Sequence, residues 1–149
     1  LDRYLCGQVG TGAGSSGWGE SGTVGYLEAS GAIIDRWREY LIGQDPLRIE
    51  HHWQYLYRSM HFRGAAVMGA LSAVDIALWD IASRAVGLPL YKFLGGAAKT
   101  NIQLYISQGM GILKEPLEMR SEMVKALVDG YRALLIRLHR DSHRLDRAP

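Results

Sequence analysis

Cysteine is almost absent. One thiol, Cys6, stands in 149 residues, so no disulfide forms within the chain and a disulfide-stapled secreted scaffold is excluded. A lone cysteine fits a reducing compartment and points to the cytoplasm. An excess of either charge is also missing. Seventeen Lys and Arg face fifteen Asp and Glu, a net charge of +2, so no global field draws the chain to nucleic acid. No apolar run reaches the length of a membrane span. The N-terminus, LDRYLCGQVG, lacks a basic segment followed by a long apolar one, so it does not read as a secretory leader. It also lacks an initiating Met, which suggests processing or a fragment.

What is present is a core. Hydrophobic residues make up 48% of the chain, enough for a domain of ordinary size. The longest helical pattern runs over 64–96. Val67, Leu71, Val74, Leu78, Ile81 and Ala85 recur at steps of four and three and share one face. Ala66, Ala70, Ala73 and Ala77 form a second row of small side chains, which lets another backbone come close. Asp80 and Arg84 are spaced to pair across one turn. Gly87 and Pro89 end the helix.

Upstream, residues 4–9 read as a short strand. The run Gly10-Thr-Gly-Ala-Gly-Ser-Ser-Gly-Trp-Gly-Glu20 follows. Gly12, Gly14 and Gly17 satisfy the spacing G-x-G-x-x-G of a dinucleotide-binding turn, which requires a helix to start within the run. No helix start is credible before Tyr26, so the plainer reading is a hairpin turn entering a strand. Residues 26–42 read as a helix with Leu27, Ile33 or Ile34, Trp37 and Leu41 inward and Gly43 as its stop. Asp45-Pro46 restarts a helix to about Ser59. It carries His51 and His52, which point about 100° apart and cannot share a metal; they read as a solvated or partly packed pair. Residues 60–64 form a turn. There Arg63 offers a two-pronged donor and His61 a second cation for a carboxylate; the plain alternative is a loop that caps the following helix and braces an interface. After Gly96, residues 102–107 alternate as a strand, Pro116 opens a helix to about Val128, and 133–138 form a second strand. Together these are one βαβ unit with parallel strands.

The run over 70–81, ALSAVDIALWDI, with Arg84, Pro89-Leu90 and Leu94-Gly95-Gly96, resembles the signature of the mandelate racemase and muconate lactonizing enzyme family of the enolase superfamily. Ser83 stands where Gly or Ala is usual, and Phe93 where Leu is usual. The resemblance implies an α+β capping domain, a small antiparallel sheet with a helical bundle, over residues 1–98. The first βαβ unit of an incomplete (β/α) TIM-type barrel follows over 99–149. It implies that Gly17-Trp18-Gly19-Glu20 is the strand ending the capping sheet. The loop after it, with Ser21 and Thr23, would hang over the active site and help select substrate.

Members of this family abstract a proton next to a carboxylate with the help of a divalent metal, normally magnesium. The metal carboxylates come from the third, fourth and fifth barrel strands. This sequence stops soon after the second, in a tail with Arg132, Arg137, Arg140, Arg144 and Arg147 that reads as a truncated end rather than a nucleic-acid or membrane-binding segment. Many members carry Lys-x-Lys on the second strand. Here those positions are Leu135, which moves no proton, and Arg137, which suits a substrate carboxylate but is a poor base. The expectation is therefore a fragment of a magnesium-dependent acid-sugar dehydratase or racemase, itself binding no metal and inactive. The parent is expected to be a homo-oligomer acting on a small acid sugar. The alternatives are a non-enzymatic module that self-associates through exposed strand edges, and a dinucleotide binder.

Overall fold

The computed structural model describes residues 4–108 and 116–136, in two compact units, Leu1–Ala97 and Ala98–Pro149. The first unit comprises strands β1 (Leu5–Gly10) and β2 (Ser16–Ser21), then helices α1 (Leu27–Leu41), α2 (Ile49–Arg58), α3 (Ala65–Ala85) and the short α4 (Leu90–Phe93). The second comprises β3 (Ile106–Gln108), α5 (Pro116–Val128) and β4 (Leu134–Ile136).

Helix α3 is the axis of the first unit. Its predicted apolar stripe, Val67, Leu71, Val74, Leu78 and Ile81, is buried with Trp37, Ile49 and Leu56 of α1 and α2. Ala85 lies at the exposed end of the helix and is not part of that core. The second row does what small side chains allow. Ala70, Ala73 and Ala77 are buried, and strand β2 lies directly on them. In β2 every second residue, Gly17, Gly19 and Ser21, is turned inward. A Cβ at Gly19 would overlap the Ala73 carbonyl oxygen and sit 3.1 Å from the Ala77 nitrogen. A Cβ at Gly17 would overlap the Ala77 carbonyl oxygen and reach within 2.8 Å of Ile81 Cγ1. Strand and helix therefore meet backbone to backbone, a contact that only glycine on one side and alanine on the other permits. By length and composition α3 is long and apolar enough to cross a membrane, against the expectation that no apolar run reaches that length. Over half of its most apolar window is buried inside this fold, as in a core helix.

The glycine-rich run is a hairpin. Thr11 N–H donates to the Ser15 carbonyl at 2.8 Å, Gly14 takes a positive φ of 83°, and β1 pairs antiparallel with β2, Gly7 opposite Gly19. No helix begins within it, so the dinucleotide reading is overturned: Gly17 is already inside β2, and no helix N-terminus faces a pyrophosphate there.

Helix α2 starts at Ile49 rather than Pro46. The Asp45 carboxylate accepts from the Leu47 N–H at 2.9 Å, making a local turn in place of a helix cap. His52 is neither solvated nor partly packed: it is 1% exposed. Its Nε2 lies 2.8 Å from the Asp45 carbonyl oxygen, and its Nδ1 lies 2.9 Å from the Tyr40 hydroxyl. A carbonyl only accepts, so Nε2 carries the proton and Nδ1 accepts from Tyr40 in the neutral ring. This one side chain ties α1, α2 and the turn between them.

In the second unit β3 and β4 pair in parallel, with Ile106, Ser107 and Gln108 opposite Leu134, Leu135 and Ile136. The paired strand is shorter than the alternating pattern over 102–107. Among the described residues the pairing takes in three residues of each strand, and Ile102 is 80% exposed.

Candidate functional site

Two connections converge on the N-terminal end of α3. One runs from Ser21, the last residue of β2, through the loop to Gly25. The other is the turn 60–64, which runs into α3 at Ala65. Both hold residues expected to meet substrate.

Ser21 and Thr23 are found in a chain of hydroxyls. Ser21 Oγ lies 2.9 Å from Thr23 Oγ1, which lies 3.2 Å from Ser30 Oγ on α1. Ser30 donates to the Ala66 carbonyl on α3 at 3.0 Å. Ser21 and Ser30 are fully buried. Gly69 makes the room: a Cβ there would come within 2.6 Å of Ser21 Oγ. The loop closes with Tyr26 N–H on the Thr23 carbonyl at 3.0 Å and Gly25 at φ 85°. Its most exposed side chain is Val24, at 87%.

In the turn, Arg63 folds back onto α2. Its Nε donates to the Tyr57 carbonyl at 2.9 Å, and its guanidinium carbon lies 4.3 Å from the centre of the Tyr57 ring, which stacks on Trp53. Arg63 therefore closes the end of α2, not the start of α3. The latter has Gly64 as its N-cap, no side-chain cap and no acidic residue in its first turn. His61 is exposed, and Phe62 is 94% exposed.

Two carboxylates of α3 are perturbed. Asp80 accepts from Arg84 Nε at 3.0 Å and from the Trp18 N–H at 3.1 Å, pinning β2 to the helix. The Arg84 hydrogen bond above all holds its carboxyl below the ordinary range. Asp75 is pushed the other way, first by burial and then by the Glu50 carboxylate of α2. Ser83, the departure from the family pattern, is buried with its hydroxyl on the Asp80 carbonyl at 2.9 Å. A surface groove of about 380 Å³ is lined by His51, Gln54, Tyr55, Arg58 and Ser59, and none of these belongs to the two connections. Arg137 lies outside the described residues. Among the described residues no three of His, Cys, Asp and Glu gather as a metal would need.

The first unit is an α+β cap: a small antiparallel sheet closed by a helical bundle around α3. The family profile described as mandelate racemase / muconate lactonizing enzyme, N-terminal domain, matches residues 2–95. The chain belongs to that family. It is 40% identical over 129 residues to a D-galactonate dehydratase of Variovorax paradoxus, covering 86% of this chain and 33% of that protein. To another D-galactonate dehydratase, from Verminephrobacter eiseniae, it is 42% identical over 69% of this chain and 27% of the relative. Among solved structures, an enolase superfamily member from Salmonella Typhimurium superposes with a TM-score of 0.81 at 32% identity, covering 89% of this chain and 38% of that one. An enolase from Pantoea ananatis with bound D-gluconate and Mg superposes with a TM-score of 0.78 at 30% identity, over 90% of this chain and 32% of that one. The chain thus spans about a third of the length of the curated relatives it matches.

Proposed function

We propose that this chain is the capping domain, residues 1–98, and the first βαβ unit, residues 99–149, of an acid-sugar dehydratase whose barrel it begins but does not complete. The dehydratase would remove a proton next to the substrate carboxylate. The observation carrying this reading is the convergence of the two connections at one end of α3, on a chain 40% identical to a D-galactonate dehydratase. The cap's part is to close over the substrate with the loop 21–25 and the turn 60–64. His61 and Arg63 would meet an anionic group there, and Arg137 a carboxylate from the second strand. Ser21 and Thr23 belong to the same loop.

Magnesium is expected in the parent enzyme, where it would stabilise the charge left by proton removal. The described residues do not furnish its ligands, so no step is assigned to it here. The proposal includes that the chain in isolation is inactive. Isothermal calorimetry with Mg²⁺, together with NMR observation of D-galactonate incubated with the purified chain, tests this. Neither saturable heat nor loss of substrate is expected; either would refute it.

A second reading, self-association, is favoured by the second unit. Its only described sheet is a parallel pair, β3 and β4, with Ile102 and Leu104 largely exposed beside it. Unpaired edges recruit further chains. A concentration-dependent mass in sedimentation supports this reading, and a monomer at all concentrations removes it.

A further inference from the structure

We propose that Ser30, on α1, is the positioning residue of the substrate-facing loop, and that it turns Ser21 and Thr23 inward so that Val24 is the side chain the loop presents. The proposal rests on the reading that this loop faces substrate.

The argument is one of protons. Each hydroxyl has a single proton to donate. The Ala66 carbonyl can only accept, and Ser30 lies 3.0 Å from it, so Ser30's proton is committed there. Toward Thr23, at 3.2 Å, Ser30 is then an acceptor, and Thr23 must donate. Thr23 in turn accepts from Ser21 at 2.9 Å. The order Ser21 to Thr23 to Ser30 to Ala66 is fixed from its far end, by a helix carbonyl more than forty residues downstream of the loop. Neither loop hydroxyl keeps a proton for a ligand, and Ser21 has no exposed surface.

The pocket for this chain of hydroxyls is built. Gly69 leaves the space that Thr23 Oγ1 and Ser21 Oγ occupy; a Cβ would stand 2.5 and 2.6 Å from them. No buried side-chain nitrogen or oxygen among the described residues lacks a partner, so the network is complete without a bound molecule. With the two hydroxyls held inside, the loop offers outward an isopropyl group, Val24, at 87% exposure. Such a group packs on the C–H face of a sugar acid and on neighbouring apolar surface, and it donates no hydrogen bond. Selection by this loop is then by shape, with Ser30 setting the shape from outside the site.

The test is backbone amide exchange on the purified chain, read by NMR, without substrate. In Ser30→Ala and Thr23→Val, exchange at Val24 and Tyr26 rises about tenfold, the weight of one lost hydrogen bond, while amides in the middle of α3 keep their rates. Thr23→Ser, which keeps the hydroxyl, restores the slow exchange. Val24→Ala leaves loop exchange as it is. Unchanged loop exchange in Thr23→Val, a rise spread equally over loop and α3, or no rescue by Thr23→Ser would each overturn the proposal. Because no substrate enters, a failure here is separate from a failure of the dehydratase reading, which calorimetry and substrate incubation judge.

Discussion

Replacing Gly19 with alanine puts a single methyl where strand and helix touch. That methyl would overlap the Ala73 carbonyl oxygen and press on the Ala77 nitrogen. Both are backbone atoms in the middle of a 21-residue helix, so neither can swing aside as a side-chain tip would. Overpacking of this kind costs about 1–3 kcal/mol where side chains can adjust. With backbone on both sides, about 3 kcal/mol is the expected loss. For a unit of this size that lowers the melting temperature by roughly 12–24 °C. The control lies directly opposite in the register. Gly7 faces Gly19 across the hairpin on the same side of the sheet, yet a Cβ there meets nothing within 4 Å. Gly7→Ala is expected to change stability by less than about 0.5 kcal/mol. The assay is urea and thermal unfolding followed by tryptophan fluorescence. All four tryptophans, Trp18, Trp37, Trp53 and Trp79, belong to the first unit, so the signal reports that unit alone. Equal stability of the two variants would refute the backbone-to-backbone account of β2 on α3.

Leu56 is fully buried among α1, α2 and α3, and Leu56→Ala should cost about 2–5 kcal/mol in the same unfolding assay. His52→Phe keeps the volume but strands the Tyr40 hydroxyl and the Asp45 carbonyl; a loss of about 2–4 kcal/mol is expected from the two unpartnered groups. Asp80 titrates below its ordinary value of 3.8 in the fold. Its contribution is therefore whole above that value and fades as pH falls through the lower folded value. Asp80→Asn should be less stable than the parent at pH 7, with the gap narrowing as acid is added below pH ~4. Asp75 has the opposite sign. Its ionised form is disfavoured by burial and by Glu50, so Asp75→Asn should raise the melting temperature at pH 7, and the gain should shrink as the pH approaches the carboxyl's raised value.

Much of the first unit was legible because α3 carries two independent patterns. The stripe of Val67, Leu71, Val74, Leu78 and Ile81 announced a core face, and the alanine row announced a close neighbour. The identity of that neighbour was not legible. The resemblance placed Gly17 to Glu20 in a strand, which β2 bears out, but only the fold shows that this strand turns Gly17 and Gly19 onto the alanine row. His52 escaped for a different reason. Beside His51 it reads as one of a polar pair, and its burial depends on Tyr40 and the Asp45 carbonyl, partners set by the turn between helices. For the candidate site, the sequence drew attention to the two connections. The resemblance assigned Ser21 and Thr23 to a substrate-selecting loop, and their hydroxyl partner on another helix, Ser30, leaves no local trace in the sequence. For Arg63 the sequence offered a carboxylate donor or a bracing loop residue, and its commitment to the Tyr57 carbonyl and ring follows from the turn's path back over α2.

The proposal at stake is that this polypeptide closes over a reaction whose metal ligands are not among its described residues. Its most direct test joins the purified chain, under Mg²⁺, to D-galactonate and follows the sugar acid by NMR. The account predicts that the substrate spectrum stays unchanged over time. Steady conversion to a dehydrated product by the 149-residue chain alone, abolished by a chelator, would contradict it.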